Sequence, residues 1–178
     1  EDKIRSKGYS PESLLGIFLH NALEKIYTEK NEDKKYIKKL INDCWDNNSY
    51  IDIYQSDEFK SEGLRILLDY IAHNPIDANF KHYSEYKIEF QSDSNIFKGK
   101  IDRLDIKKDG DAVIIDYKTS KKKKTVKAVQ KDLQLSYYFF LLSNNAHKIP
   151  FNFPITSKLI FLRDYKNSDV VVLFDKDD

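Results

Sequence analysis

Cysteine is nearly absent from this 178-residue sequence, in which Cys44 is the only one. A single thiol cannot close a disulfide within the chain, and it cannot supply the ligands of an all-cysteine metal or iron–sulfur site. We therefore expect no iron–sulfur cluster. A composition so poor in cysteine is typical of the reducing cytoplasm, which is the expected localisation.

Long apolar runs are also missing, since no stretch approaches the roughly eighteen apolar residues that a membrane-spanning helix needs. No signal-peptide pattern follows Glu1, and the sequence contains no methionine at all. We expect a fragment of a longer protein, or a processed chain, with no membrane partner. Because no repeat or domain boundary is apparent, residues 1–178 are predicted to form a single domain.

An excess of charge of one sign is absent as well, because 30 basic residues face 29 acidic ones. Net charge therefore says nothing about nucleic acid, and only the local distribution can. Between Asp116 and Asp132 there are seven lysines and no acidic residue. A phosphate backbone would gain from that positive field, although a lysine run is equally typical of a solvated loop.

What the sequence does contain is a pair of acids and a lysine on two predicted strands. Asp116 and Lys118 close an apolar run and share one face of a strand, whereas Tyr117 points the other way. Asp102 lies on the preceding strand. Two carboxylates a few ångströms apart stay ionised when a cation joins them, and Mg²⁺ is the usual choice.

Whether the two acids face each other depends on the turn near Gly110. A two-residue Asp-Gly turn would place Asp102 opposite Tyr117 and leave Asp116 on the wrong face. A three-residue loop over 108–110, with Gly110 in the left-handed region, places Asp102 opposite Asp116. We predict the three-residue loop.

Three further polar residues lie on predicted helices. His20 follows Gly16 by one turn on the first helix, and a neutral imidazole is a good ligand for a divalent ion. Taken alone, His20 is more typical of a packed core histidine. Gln134 and Tyr138 are four residues apart on a later helix, so they project together.

Periodicity predicts four helices and five strands. The helices are expected over 11–28, 33–45, 57–73 and 126–144, and the strands over 83–91, 96–107, 111–119, 158–164 and 170–174.

Four short motifs, in this order along the chain, resemble the RecB-type branch (RecB/AddA/AddB-like) of the PD-(D/E)xK nuclease superfamily. They are Gly16-x-x-x-His20, Gly99-x-Ile101-Asp102-Arg103-x-Asp105, Asp116-Tyr117-Lys118-Thr119 and Gln134-Leu135-x-x-Tyr138. The resemblance implies an α/β (α+β) fold with a restriction-endonuclease-like core, in which a mixed central β-sheet is flanked by helices.

The resemblance also implies a set of metal ligands. Asp102 and Asp116 would bind the metal, with His20 as a third ligand and the Tyr117 carbonyl completing the shell. A glutamate on the strand before Asp102 assists in relatives, and Glu85 is the candidate here, with Glu89 as the alternative.

The remaining motif residues are implied to act on the substrate. Lys118 would orient or activate the attacking water and stabilise charge on the phosphate. Gln134 and Tyr138 would support the site or contact the nucleic-acid strand.

The implied function is that of a Mg²⁺-dependent DNA nuclease, with Mn²⁺ as a substitute, acting as an exonuclease rather than an endonuclease. Its partners would be single-stranded DNA ends and the helicase domains or subunits of a DNA repair system. Three alternatives stay open: a catalytically silent nuclease-like domain that binds DNA within a larger complex, a self-contained restriction or repair nuclease, and an unrelated α/β domain.

Overall fold

Among the described residues, three helices precede a five-stranded sheet, and two shorter helices are inserted between its third and fourth strands. The structure is a computed structural model that describes residues 10–45, 53–120, 125–130, 132–145, 149–167 and 170–175. The helices are α1 (Pro11–Glu29), α2 (Lys34–Cys44), α3 (Ile53–His73), α4 (Val126–Gln130) and α5 (Leu133–Ser143). The strands are β1 (Phe80–Ser92), β2 (Asn95–Lys107), β3 (Asp111–Lys118), β4 (Asn152–Phe161) and β5 (Val170–Phe174).

The sheet is mixed and its strands lie in chain order. All neighbouring strands are antiparallel except β3 and β4, which are parallel because α4 and α5 carry the chain back across the sheet. One face packs against α1, α2 and α3 through residues such as Ile115 and Ile160. The other face packs against α4 and α5 through residues such as Leu104 and Ile114. The predicted fold class is confirmed.

Helix α1 begins where the sequence predicts. The Ser10 side chain accepts a hydrogen bond from the Ser13 N–H at 3.2 Å, and Pro11 occupies the first helical position. Its buried residues recur at helical spacing and face the sheet, α2 and α3. This packing fixes which side of α1 meets the strands.

The turn between β2 and β3 is the predicted three-residue loop. Ile106 pairs with Ala112 and Arg103 pairs with Ile115, so residues 108–110 connect the strands. Gly110 has a φ of 100°, a value that favours glycine because it has no Cβ. The predicted register of these two strands is confirmed.

The prediction of a single helix over 126–144 is wrong, because the structure has two helices there. Helix α4 ends at Gln130, and Asp132 starts a second helix by accepting a hydrogen bond from the Gln134 N–H at 3.0 Å. An aspartate cap restarts a helix because its carboxylate satisfies an N–H group that has no helical partner. Of the predicted lysine-rich loop, residues 121–124 and Lys131 lie outside the described residues.

The strand predicted over 158–164 is also displaced. Strand β4 begins at Asn152 and ends at Phe161, and residues Leu162–Asn167 form a 3₁₀ segment. The residues before 158 lack a clear alternation of apolar side chains. They form part of β4 because they pair with β3, as Thr156 does with Val113. Pairing with β2 likewise extends β1 back to Phe80. None of the helices in the described ranges combines the length and apolar character that spanning a bilayer requires.

Candidate active site

Three acidic residues lie side by side on three neighbouring strands. The β1–β2 register pairs Ser84 with Arg103 and Tyr86 with Ile101, so the intervening Glu85 lies across from Asp102. The β2–β3 pairs end at Arg103 and Ile115, and the next position of that register sets Asp116 beside Asp102.

The pairing of β2 with β3 ends at Arg103, and at the next residue, Asp102, a side chain replaces the backbone partner. Asp102 Oδ2 accepts a hydrogen bond from the Tyr117 N–H at 2.8 Å. A buried N–H without a partner costs free energy, so this contact satisfies β3 and fixes the Asp102 carboxylate at the same time. The acid is therefore held in place before anything binds it.

Helix α1 brings His20 to these strands. His20 Nδ1 lies 3.6 Å from Asp102 Oδ1 and 4.0 Å from Glu85 Oε1. One ligand atom from each of these three residues lies within 4.8 Å of the others. Gly16 permits the close approach of α1, because a Cβ there would lie 3.2 Å from Thr119 Oγ1, just beyond β3.

The backbone at Glu85 departs from a regular strand. Its φ is 48°, in the left-handed region that a glutamate seldom adopts. The side-chain alternation slips at this level, since the Tyr83 and Tyr86 rings lie 5.5 Å apart and pack against the same core. Strained residues of this kind cluster at functional sites, where they aim a side chain.

Asp116 begins a second polar group, which extends to α5. Lys118 Nζ lies 2.6 Å from Asp116 Oδ2 and donates a hydrogen bond to Gln134 Oε1 at 2.8 Å. Gln134 Nε2 in turn donates to the Tyr138 hydroxyl at 2.9 Å. The four residues form a continuous chain of contacts from β3 to α5, which restricts where the ammonium can point.

The carboxyl groups influence one another electrostatically. Burial, together with the negative charge of Asp102, raises the pKa of Asp116 to about 6, although Lys118 opposes the shift. Burial lowers the pKa of His20, but the neighbouring Asp102 carboxylate and the charge of Glu85 raise that pKa overall. Both shifts show that this pocket favours added positive charge.

The donor set fits a hard divalent cation. Carboxylate oxygens with one imidazole are ligands that such ions accept. Asp116 is only 1% exposed, and its Oδ2 meets the Lys118 ammonium but makes no hydrogen bond of good geometry within the described residues. Glu85, Asp102 and His20 would hold the ion, with Asp116 as their neighbour.

The structure brings the residues named from the sequence into two adjoining groups. One holds His20 and Asp102 with Glu85, and the other holds Asp116 with Lys118, Gln134 and Tyr138. Asp116 is not among the three closest potential ligands, and a metal-binding role for the Tyr117 carbonyl stays a prediction. Glu89 is separate, because it forms an exposed ion pair with Lys98 at 2.9 Å.

Sequence reasoning assigned no role to Arg103 and Asp105. These two residues of β2 form a buried network that includes Tyr117 of β3 and His82 of β1. Arg103 Nη1 donates to the Tyr117 hydroxyl at 2.7 Å, and its Nη2 lies 3.1 Å from Asp105 Oδ2. Asp105 Oδ1 also lies 2.7 Å from His82 Nδ1. The spacing of Arg103 and Asp105 on one strand was the available signal, because it predicts a shared face.

Comparison with known proteins agrees with the fold. The family model of the PD-(D/E)XK nuclease superfamily matches residues 1–173. The chain therefore belongs to the PD-(D/E)XK nuclease superfamily, whose members use divalent metal ions for hydrolysis. A search of curated proteins gave no significant match.

Proposed function

We propose that this chain is a Mg²⁺-dependent deoxyribonuclease of the RecB type. One observation carries the proposal: the potential metal group of His20, Glu85 and Asp102 adjoins an ion pair between buried Asp116 and half-buried Lys118. A divalent cation at this place would supply polarisation of a phosphoryl oxygen and a lowered pKa of water. Both effects lower the barrier to hydrolysis of a phosphodiester bond.

The side chains around the cation position have separable tasks. The Lys118 ammonium contacts Asp116 and would stabilise negative charge that develops on the phosphate. Gln134 accepts from the ammonium and would hold it in place, while Tyr138 orients the Gln134 amide. His20 lies close to both Asp102 and Glu85 and would hold these two carboxylates together.

The finer parts of the proposal rest on the resemblance of the four motifs. They are exonuclease action on single-stranded DNA ends, Mg²⁺ as the natural ion, and association with helicase domains or subunits in DNA repair. Location in the cytoplasm rests on the single cysteine.

Substitution at the acid–ammonium pair tests the proposed activity. Asp116→Ala and Lys118→Ala are each expected to abolish Mg²⁺-dependent cleavage of end-labelled single-stranded DNA while the far-ultraviolet circular dichroism stays unchanged. The loss should reach several kcal/mol of transition-state stabilisation, which is a rate decrease of about a thousandfold or more.

Asp111→Asn is the matched control, because Asp111 is an exposed acid at the other end of the same strand. It should cleave at the wild-type rate. Wild-type cleavage by both site variants would contradict the nuclease proposal. DNA binding without cleavage by the wild-type chain would favour the catalytically silent alternative.

A further inference from the structure

Glu85, Asp102 and Asp116 are called the acidic group here. The hairpin of β1 and β2 extends past this group and presents charged side chains in pairs on one face. Moving along the hairpin from Glu85 and Asp102, the next pair on this face is Lys87 and Lys100, and the following pair is Glu89 and Lys98. Lys87, Lys98 and Lys100 are all exposed. The candidate metal site therefore continues directly into a basic surface.

The facing lysines are unfavourable for the fold by itself. Like charges directly opposite each other on antiparallel strands repel, so Lys87 across from Lys100 destabilises the hairpin. Lys100 has a partner, because its ammonium contacts Glu85. Lys87 makes no ion pair with any residue that the structure describes. A bound anion would relieve the repulsion.

The surface at these lysines is concave. A shallow depression of about 540 Å³, open to solvent, lies there, lined by Lys87, Ile88, Glu89, Lys98, Gly99 and Lys100. Its acid Glu89 is already paired with Lys98, so Lys87 supplies the uncompensated charge. The space beside Lys87 is thus both accessible and attractive to a negative group.

The spacing along the strands fits consecutive phosphates. Lys87 follows Glu85 by two residues, which is roughly 6.6 Å along a strand. This is comparable to the separation of neighbouring phosphates on an extended nucleotide strand. A phosphate held at the acidic group would place the next phosphate of the same strand near the two lysines.

We infer that Lys87 and Lys100 form a phosphate subsite that binds the phosphate next to the scissile one on a nucleic-acid strand. The inference rests on the proposed nuclease function and extends it to the path of the substrate. The strand runs from the acidic group along the open face of the hairpin. Backbone contacts of this kind position a strand without reading its bases.

Salt-dependent binding tests the subsite separately from cleavage. A fluorescein-labelled single-stranded oligodeoxynucleotide is titrated in an Asp116→Asn background, so that the probe is not cut. Lys87→Ala should weaken binding roughly five- to tenfold at low salt and reduce the slope of log affinity against log salt by about 0.7. Lys87→Arg should restore both values.

Lys81→Ala is the matched control, because Lys81 is an exposed lysine on the same strand but lies over the Tyr83 ring at its other end. It should bind as the parent does. Equal affinity and slope for Lys87→Ala and its parent would overturn the inference, as would an equal loss for Lys81→Ala. Absence of any binding by the parent would overturn it too.

A neutral methylphosphonate next to the scissile phosphate locates the contact. In the wild-type background this linkage should slow cleavage, and in Lys87→Ala it should slow cleavage no further, because the contact is already lost. Additive losses would overturn the assignment. A Lys87-dependent salt slope in a chain that never cleaves DNA would uphold the subsite and reject the nuclease function.

Discussion

At the scale of single residues, Asp116 is subject to opposing electrostatic effects. Its carboxyl group is buried beside the charge of Asp102, and both effects favour the protonated form. Lys118 offsets part of that cost but does not remove it. A buried acid with a raised pKa destabilises the fold whenever it is ionised, and a bound cation would reverse that effect.

This conflict predicts a specific dependence of stability on pH. The Asp116 pKa is about 6 in the folded chain, against an ordinary value of 3.8, so the folded state binds the proton more tightly. Stability from this group is fully present below about pH 4 and is lost as the pH rises through about 6. In metal-free buffer, the free energy of unfolding of Asp116→Asn relative to wild type should therefore rise by about 2–3 kcal/mol as the pH increases from about 4 to above 6.

Thermal unfolding with a chelator across that pH range measures the difference between the two proteins. Taking the difference removes the titration of other groups. A wild-type-minus-variant curve that stays flat from pH 4 to 7 would show that Asp116 titrates normally.

At the scale of elements, the position of α1 determines where His20 lies. Helix α1 crosses α3 closely at Gly63, where a Cβ would lie 2.5 Å from the Phe18 ring. Phe18 is itself fully buried on α1, so it has no room to move away. A glycine in the middle of α3 lowers helix propensity but allows the two helices to pack.

Gly63→Ala is therefore expected to destabilise the protein although alanine favours helices. Overpacking against Phe18 should cost about 1–3 kcal/mol against roughly 1 kcal/mol gained in propensity, so the net loss should be up to about 2 kcal/mol. Chemical denaturation measures the balance. Ser61→Ala, at an exposed position of the same helix, reports propensity without packing and should be neutral or stabilising. A more stable Gly63→Ala variant would mean that α1 and α3 do not meet as described.

At the scale of the whole molecule, the site exists only because distant segments converge. Residue 20 comes from α1, residues 85 and 102 from β1 and β2, and residue 134 from α5. The two hydrophobic cores hold these elements on opposite faces of one sheet. Anything bound at the acidic group therefore couples to the stability of the entire fold.

Divalent metal should consequently raise the melting temperature. At a concentration a hundred times its dissociation constant, Mn²⁺ would add about 2.7 kcal/mol, which is roughly 5–10 °C for a chain of this size. Differential scanning calorimetry with and without Mn²⁺ measures the shift. Asp102→Asn should lose most of it and Asp111→Asn should keep it. A melting temperature unaffected by millimolar Mn²⁺ would contradict the proposal of a metal site.

Local features were predicted well where the residues themselves carry the information. Ser10 and Pro11 start α1 correctly, and the 108–110 loop sets the register of β2 against β3. By contrast, the break at Asp132 lies inside a strongly apolar stretch, where periodicity outweighs a single capping residue. The first residues of β4 are extended because β3 pairs with them, which a local pattern does not show.

The sequence alone determined the start of α1, the β2–β3 register and the acids, histidine and lysine of the candidate site, because alternation, capping and turn geometry are local. Only the tertiary structure decided that Glu85 rather than Glu89 joins His20 and Asp102, and that Lys118 reaches Gln134. Those choices depend on a left-handed backbone at Glu85 and on helices packed against both faces of the sheet. Both are set by contacts between residues far apart in the chain.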